Sequence, residues 1–266
     1  MKMRIMMKII FALALLALCL LSTIQAWSCS DGPRLYRASQ IDAGLGQVVA
    51  TDLYRRTFYL SSTSWTSLPS ASLQHVTVGS AGIWGVTNSY RVYRFVAGRW
   101  RAASGLSLKQ IDAGGDTFVV GTTTSTLTYC LRTSRAVTFN GAGSLSWSRL
   151  SGNMVYYSCG SLGCWGVTNR YRVYFTRTVS PTTCSNSGWS YISGVSMRMI
   201  EAGSDGKVFG VTTAGHIYER TGISSSRPYG TSWTRVSTCI TARHVSYDLG
   251  KLWVVTTAYN VMTCTP

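Results

Sequence analysis

The chain has 266 residues, of which 45% are hydrophobic and only 13% are charged, with a formal net charge of +16 at pH 7. Its length is sufficient for one domain with a sizeable buried core. Beyond the first 26 residues no stretch is apolar enough to cross a bilayer, so the composition excludes a protein inserted in a membrane.

The N-terminal segment has the pattern of a secretory signal. Lys2, Arg4 and Lys8 precede an apolar run from Ile9 to Leu21, and small and polar residues follow up to Ala26. This run is too short for a membrane span and has the flanks of a cleaved leader. We therefore predict that residues 1–26 are a signal peptide, that residues 27–266 form one domain, and that the protein is secreted and extracellular.

The exported part of the chain is strongly basic. It keeps 22 Lys and Arg residues against nine Asp and Glu residues, a formal charge of +13, and 19 of the cations are arginines. Arginine makes bidentate contacts to phosphate and carboxylate, so we expect anionic extracellular partners such as bacterial lipopolysaccharide or acidic glycans. Nucleic acid is not expected, because export removes the opportunity. The alternative is that the charge only keeps the protein soluble.

A sequence unit recurs six times along residues 27–266. A Gly is followed five to seven residues later by a run close to aromatic–Gly–Val–Thr, and a Trp precedes five of the six copies. The anchor residues lie 35 to 46 positions apart: Gly44, Gly79, Gly114, Gly160, Gly203 and, in the last copy, Tyr247. Periods near 40 residues with Trp and Gly in each unit are typical of propeller blades. The pattern predicts an all-β, six-bladed β-propeller.

Each copy reads as four short antiparallel strands. In the second copy we expect strands over 73–79, 83–87, 91–96 and 100–103, because β-branched and aromatic residues alternate with turn signals. No segment has convincing helical periodicity. Three Ser/Thr/Gly-rich inserts, Arg132–Ser146, Thr178–Gly188 and Thr221–Ser232, lengthen the later copies. We expect them on one face of the propeller, as a binding surface or as spacers.

Seven cysteines remain after the signal segment, and an oxidising export route favours disulfides. Three pairs can form, which leaves one cysteine over. Cys159 and Cys164 flank a Gly-rich hairpin turn. Cys29 and Cys264 lie at the two ends and would lock the ring, and Cys130 and Cys184 would tie neighbouring blades. Cys239 is then unpaired, and we expect a buried thiol rather than an intermolecular link.

Most repeated positions suit structural roles. The Trp that begins five copies is expected in the core. Asp42, Asp112 and Glu201 occupy one equivalent position, so we expect hydrogen bonds to a neighbouring blade rather than catalysis. The aromatic eight residues after the second glycine of each copy, such as Tyr93, is expected to pack between blades.

The polar residues that follow Gly–Val–Thr are the candidate binding site. They fall in a turn and at the start of the third strand, where they would line the edge of each blade. Amide, guanidinium and hydroxyl groups beside an aromatic ring suit sugar recognition, although an ordinary polar turn is the alternative. The predicted carbohydrate-binding residues are Asn88, Arg91, Asn169, Arg172, Thr213, His216, Thr257 and Asn260.

The sequence does not favour an enzyme or a metalloprotein. Apart from the three repeated acids, the carboxylates share no motif that would pair two of them for glycan hydrolysis. His75, His216 and His244 lie in different copies without metal-ligand spacing. We therefore expect no catalytic residue, no metal site and no cofactor.

The motifs resemble the tectonin repeat, found in fish egg lectins, tachylectin-1-type lectins and slime-mould tectonins. The resemblance covers residues 27–266 and is carried by QIDAG at Gln40–Gly44 and Gln110–Gly114, by IWGVT at Ile83–Thr87, and by VFGVTTAGHIYER at Val208–Arg220. It implies a non-catalytic propeller that binds N-acetylglucosamine-type sugars and lipopolysaccharide in egg and innate defence. The turns here are more basic than in the family, so calcium is possible but not predicted. The alternative function is a structural egg-envelope or matrix protein that binds anionic partners.

Overall fold

The computed structural model describes residues 27–69, 71–141 and 143–266, so the predicted signal segment lies outside the described residues. The described chain is almost entirely β-structure with one single-turn helix, α1 (Thr133–Ala136). The strands are β1 Ser28–Asp31, β2 Ala38–Gly44, β3 Gln47–Asp52, β4 Thr57–Ser61, β5 Ser64–Leu68, β6 Leu73–Gly79, β7 Gly82–Thr87, β8 Arg91–Val96, β9 Arg99–Ser107, β10 Gln110–Asp112, β11 Val119–Thr122, β12 Leu127–Leu131, β13 Gly143–Ser144, β14 Ser148–Asn153, β15 Tyr156–Gly160, β16 Gly163–Val167, β17 Val173–Thr176, β18 Ser190–Ile192, β19 Met199–Ala202, β20 Val208–Val211, β21 Ile217–Thr221, β22 Ser232–Arg235, β23 Ala242–Asp248, β24 Lys251–Thr256 and β25 Val261–Thr265.

These strands form six antiparallel sheets, each a blade of a propeller. Blade 1 is β2–β5, blade 2 is β6–β9, blade 3 is β10–β12 with β14, blade 4 is β15–β18, blade 5 is β19–β22, and blade 6 is β23–β25 with β1. The first strand of each blade contacts the first strands of both neighbours, and β2 closes the circle against β23. The predicted six-bladed, all-β propeller is confirmed.

The anchor glycine of the first five copies lies at or just after the end of the innermost strand, where adjacent blades approach most closely. A Cβ atom at Gly79 would lie 1.9 Å from the carbonyl oxygen of Ala113 in the next blade. Gly44 and Gly114 are restricted in the same way by Val78 and Cys159. The repeat therefore contains glycine here because any side chain would push two blades apart.

The N-terminal strand completes the last blade. β1 pairs antiparallel with β25, and Cys29 lies directly opposite Cys264 in that pair. A disulfide joins these two residues across a sequence separation of 235 residues. The two ends of the domain are thus held in one sheet, as the sequence analysis expected.

The other two disulfides also join the expected pairs. Cys159 and Cys164 face each other across the β15–β16 hairpin. Cys130 of β12 is bonded to Cys184 in the insert of blade 4, which ties blades 3 and 4. Cys239 is the free cysteine among the described residues and is exposed, so the expectation of a buried thiol was wrong. The reason is that β22 ends at Arg235 and the connection to β23 runs over the surface.

The three inserts connect the third and fourth strands of blades 3, 4 and 5. The first of them folds back onto blade 2, where β13 pairs in parallel with β9 and Ala136 of α1 is fully buried. Arg94 of β8 donates to the carbonyl oxygens of Val137 and Phe139. A four-residue helix is too short to show periodicity, which is why the sequence did not predict it.

Strand direction places the inserts on one face of the propeller. In an antiparallel blade, the connections between strands 1 and 2 and between strands 3 and 4 lie at one end, and the turn between strands 2 and 3 lies at the other. The inserts therefore lie on the face opposite the Gly–Val–Thr turns.

Within the described residues, no helix has the length and apolar character needed to cross a membrane.

Candidate functional site

The turn between the second and third strands has the same internal structure in every blade. Its first residue is Thr, or Asp52 in blade 1, and its side-chain oxygen accepts the backbone N–H four residues later. Thr87 accepts from Arg91 at 3.1 Å, and Thr168 accepts from Arg172 at 3.3 Å. The equivalent acceptors in the other blades are Asp52, Thr123, Thr212 and Thr256. We call these six segments the blade turns.

The fourth residue of each blade turn has a left-handed backbone. The φ angle is 64° at Tyr90 and 61° at Tyr171, and the equivalent residues are Arg55, Thr126, Gly215 and Tyr259. In five of the six turns, all except that of blade 6, the carbonyl oxygen of this residue accepts an N–H from the next blade, as from Leu108 to Tyr90 and from Met197 to Tyr171. Each of these turns is therefore fixed between two blades by backbone bonds, and its side chains remain available.

The predicted site residues occupy two fixed positions in these turns. Asn88, Asn169, Thr213 and Thr257 are second in their turns, and all four are exposed. Arg91, Arg172, His216 and Asn260 are fifth in theirs, and His216 is half-buried while the other three are exposed. The structure brings together one pair per turn and does not join pairs from different blades.

These side chains differ in how far they are already engaged. Among the described hydrogen bonds, none involves the side chains of Asn88, Arg91, Asn169 or Arg172. In blade 6 the Thr257 hydroxyl is 2.7 Å from the Thr241 hydroxyl, so it is already paired. Blades 2 and 4 therefore present the two turns with a free amide and a free guanidinium.

Two aromatic side chains in these turns were not among the residues predicted from the sequence. Tyr90 and Tyr171 are 37% and 46% exposed, respectively, and each lies between the Asn and the Arg of its turn. The sequence signal is an aromatic residue just before the Arg in both IWGVTNSYR and CWGVTNRYR. The aromatic residue expected to pack between blades, such as Tyr93, is half-buried in the structure, and Trp100 is 8% exposed.

A groove lies beside the turn of blade 2. Its volume is about 560 Å³, and Arg91, Tyr93 and Ser107 are among its lining residues. The groove exists because β9 is irregular. The register of its pairing with β8 shifts between Arg91 and Val92, and Gly105 of β9 has a φ angle of 111°. Arg91 therefore borders a concave surface large enough for a small ligand.

The three repeated acids lie on the inner strands around the propeller axis. Asp42 accepts the N–H of Val78 at 2.6 Å, and Asp112 accepts the N–H of Cys159 at 3.0 Å, each in the next blade. The expected inter-blade bonds are thus present for these two residues. The described hydrogen bonds include none from Glu201 to the backbone of the next blade. The other three blades have a hydroxyl residue at this position, and its side-chain oxygen accepts the equivalent backbone N–H of the next blade. These residues are Thr77, Ser158 and Ser246.

Burial changes the protonation of these carboxyl groups. It raises the pKa of Asp42 to about 6 and, together with the charge of Asp42, raises the pKa of Asp112 to about 8. Burial, followed by the charges of Asp42 and Asp112, also raises the pKa of Glu201 well above its usual value. Within the described parts of the chain, no group of three His, Cys, Asp or Glu side chains is placed to hold a metal ion.

The fold is shared with many solved structures at low sequence identity. A gluconolactonase from Xanthomonas campestris superposes with a TM-score of 0.66 at 10% identity, covering 89% of each chain. Human WBSCR16 superposes with a TM-score of 0.57 at 11% identity, covering 86% of this chain and 72% of that one. At these identities the likeness concerns the propeller fold alone.

Sequence comparison gives a more specific relationship. The fish-egg lectin of Cyprinus carpio is 38% identical over 157 residues, which are 58% of this chain. The match spans 65% of the length of the carp protein. The Tectonin domain family matches residues 37–257, which include blades 1 to 5, the strands β23 and β24 of blade 6, and seven of the eight predicted site residues, all except Asn260. The chain therefore belongs to the tectonin family.

Proposed function

We propose that this protein is a secreted lectin that binds N-acetylglucosamine-type sugars and bacterial lipopolysaccharide through the blade turns that carry the predicted site residues, those of blades 2, 4, 5 and 6. The observation that carries the proposal is the exposed Asn–Tyr–Arg set in blades 2 and 4, whose amide and guanidinium groups have no hydrogen-bond partner among the described residues. The similarity to a fish-egg lectin supports the carbohydrate class. The three disulfides are consistent with export to an oxidising compartment.

The chemistry of the turns suits an acetamido sugar. The Asn amide both donates and accepts, as the acetamide group of N-acetylglucosamine requires, and the Arg guanidinium donates to ring hydroxyls. An exposed Tyr ring supplies the apolar face on which the C–H side of a pyranose packs. Because the backbone of the blade 2 and blade 4 turns is fixed between blades, little conformational entropy is lost when a sugar binds there.

The repetition of the turns matters for affinity. A single shallow sugar site is weak, but two or more rigidly spaced sites on one propeller bind a surface that carries many copies of the sugar by avidity. Free arginines at Arg91 and Arg172 add contacts to phosphate groups, which lipopolysaccharide presents next to its amino sugars. The proposal is a reversible binding function without catalysis.

The first prediction tests the turn of blade 4. The double variant Asn169→Ala/Arg172→Ala should weaken binding of N-acetylglucosamine to this turn about tenfold or more, because two hydrogen bonds to charged or amide groups are lost. Thermal stability should change by less than about 0.5 kcal/mol, since both side chains are exposed. Titration calorimetry and thermal unfolding measure the two effects.

A matched control is available on the opposite face. Asn140 and Arg135 are exposed residues of the first insert, so Asn140→Ala/Arg135→Ala removes the same two groups away from the blade turns. The control should bind the sugar as the parent protein does. An unchanged number of sites together with unchanged affinity in the Asn169/Arg172 variant would remove the site proposal, because the blade 2 turn remains intact in both proteins.

The alternative function is a matrix protein that binds anionic partners through its basic surface, and the net charge favours it. Free N-acetylglucosamine distinguishes the two. A lectin is released from its glycan partner by the sugar at constant ionic strength, whereas a matrix protein is released by salt alone. A crystal soaked with the sugar would also count the occupied turns.

A further inference from the structure

Blade 1 carries a surface that none of the other blade turns repeats. Its turn reads Asp52-Leu53-Tyr54-Arg55-Arg56, without the Asn found in blades 2 and 4. The segment that leads into β2 runs beside this turn, and the N–H of Leu53 donates to the carbonyl oxygen of Arg37 at 3.0 Å. Two arginine-rich segments are thus joined on the same face as the other blade turns.

Cations and aromatic rings alternate across this surface. The Arg37 guanidinium carbon lies 5.3 Å from the ring centroid of Tyr36 and 6.0 Å from that of Tyr54. The Arg56 guanidinium carbon lies 5.2 Å from the Tyr54 ring and 5.6 Å from the Phe58 ring. We call Tyr36, Arg37, Tyr54, Arg56 and Phe58 the blade 1 ladder. Cation–π contacts hold its side chains in order although they are at the surface.

The two tyrosine rings of the ladder remain open to solvent, whereas Phe58 is half-buried. Tyr36 is 58% exposed and Tyr54 is 54% exposed, the largest exposures among the tyrosines near any blade turn. Arg37 Nη1 donates to the Tyr54 hydroxyl at 3.3 Å, which fixes the relative position of the two side chains. An ordered, exposed aromatic pair is a ready surface for the apolar face of a sugar ring.

In the part of the chain that the structure describes, the positive charge of this surface is neutralised only at Arg56. The nearby acid, Asp52, is buried, and its carboxylate binds Arg56 Nε at 2.6 Å and the N–H groups of Tyr54 and Arg56. Arg37 and Arg55 have no carboxylate partner among the described residues. Their remaining N–H donors form planar forks that match a tetrahedral oxyanion.

We propose that the blade 1 ladder, together with Arg55, is a separate binding site for a sugar that carries a sulfate or phosphate monoester. The pyranose face packs on Tyr36 or Tyr54, and the anionic group accepts hydrogen bonds from Arg37 and Arg55. The site uses neither the amide nor the residues of the proposed N-acetylglucosamine turns. It therefore goes beyond the proposed function and can succeed or fail independently of it.

The test uses two arginines that are not needed for the fold. In Arg37→Gln/Arg55→Gln, binding of a heparin hexasaccharide should weaken about tenfold or more, because two charge-assisted contacts are removed. The control Arg99→Gln/Arg227→Gln removes the same charge from exposed positions elsewhere and should change affinity less than about twofold at 0.15 M salt, where distant charges are screened. Calorimetry on the full secreted chain measures both.

Two further measurements distinguish binding at this site from non-specific attraction of the ligand by the positive charge of the whole protein. Tyr36→Ala should weaken the same complex several-fold without a change in net charge, because the stacking surface is lost. Binding of N-acetylglucosamine should be unchanged in the Arg37/Arg55 variant. Equal loss in the Arg99/Arg227 control, or full binding of both the sulfated and the phosphorylated ligand by the Arg37/Arg55 variant, would overturn the proposal.

Whether the anionic group is a sulfate or a phosphate is decided by comparing each anionic ligand with the same ligand from which that group has been removed. One arm compares the heparin hexasaccharide with its desulfated form, and the other compares a bisphosphorylated glucosamine disaccharide with its dephosphorylated form. Dependence on Arg37 and Arg55 in the first arm identifies a sulfated glycan, and dependence in the second identifies a phosphorylated one. Failure of both anionic ligands to bind overturns the proposal.

Discussion

In blades 1, 2 and 4 the residue at the position of the second glycine is matched in size to a residue at, or just before, the start of the first strand. In blade 2 a Cβ atom at Gly85 would lie 2.4 Å from Leu73 Cδ1. Gly166 is restricted in the same way by Met154 in blade 4. In blade 1 the equivalent residues are Ala38 and Ala50, both fully buried. Blades 2 and 4 fill this space with a large side chain that faces a glycine. Blade 1 fills the equivalent space with two alanines that face each other.

This matching predicts energetic coupling between the two positions. Gly85→Ala should destabilise the protein by about 1–3 kcal/mol through overpacking, and Leu73→Ala by about 2–5 kcal/mol through a cavity. The double variant copies blade 1, so it should be more stable than the sum of the single effects by about 0.5–3 kcal/mol. Denaturant unfolding of the four proteins gives the coupling energy. Strict additivity would show that the two sites do not share one volume.

At the scale of elements, closure of the ring depends on a strand borrowed from the other end of the chain. β1 is short and mostly exposed, and its pairing with β25 is secured by the Cys29–Cys264 disulfide. The Cys159–Cys164 disulfide joins residues of one hairpin, only five positions apart. The two bonds therefore restrict the unfolded chain to very different extents.

The difference predicts unequal effects on stability. In the chain-entropy model, Cys29→Ser/Cys264→Ser should lower the free energy of unfolding by about 5 kcal/mol, and Cys159→Ser/Cys164→Ser by about 2 kcal/mol. The ratio should appear in thermal unfolding of the two double variants under identical buffer conditions. A larger loss from the hairpin bond would mean that native packing, not closure of the ring, dominates its contribution.

The inner surface of the whole propeller places titratable groups from different blades together. Asp42, Asp112 and Glu201 form the carboxyl ring, and Asp42 and Glu201 line a cavity of about 400 Å³. Nearby on the same inner strands, the Tyr156 hydroxyl is 2.8 Å from His244 Nε2 and 3.3 Å from His75 Nε2. Burial lowers the pKa of His75 to about 3 and that of His244 well below its usual value, and it raises that of Tyr156.

These shifts predict how stability depends on pH. The carboxyl groups have raised pKa values in the folded state, so their contribution to stability is complete below about pH 4 and is lost as pH rises through about 6 for Asp42 and about 8 for Asp112. The histidines have lowered values, so their contribution is lost only as pH falls below 6.5. Between pH 6.5 and 8.5 the carboxyl groups dominate, and the melting temperature should fall.

The variant Asp112→Asn isolates this effect. The amide oxygen can still accept the N–H of Cys159, but the group no longer ionises, so the fall in melting temperature between pH 6.5 and 8.5 should be smaller than in the parent. Thermal unfolding at constant ionic strength across this range provides the measurement. An identical slope in the two proteins would contradict the assignment of the pH dependence to the ring.

The sequence by itself determined the number of blades, the strand boundaries of blade 2 to within a few residues and the three cysteine pairs. These features are encoded locally or by period: glycine where a side chain cannot fit, turn residues that cap their own backbone, and cysteines opposite each other in paired strands. It also placed the candidate site residues in turns, because the turn follows directly from the Gly–Val–Thr run.

Only the tertiary structure decided which of those residues are free to bind. Asn169 and Thr257 hold equivalent positions, but the second is already paired with Thr241. The exposure of Cys239, the docking of α1 on blade 2 and the mutual approach of the axial carboxyl groups were likewise not predicted in the sequence analysis. Each depends on contacts between segments far apart in the chain, and these contacts exist only once the ring of blades has closed.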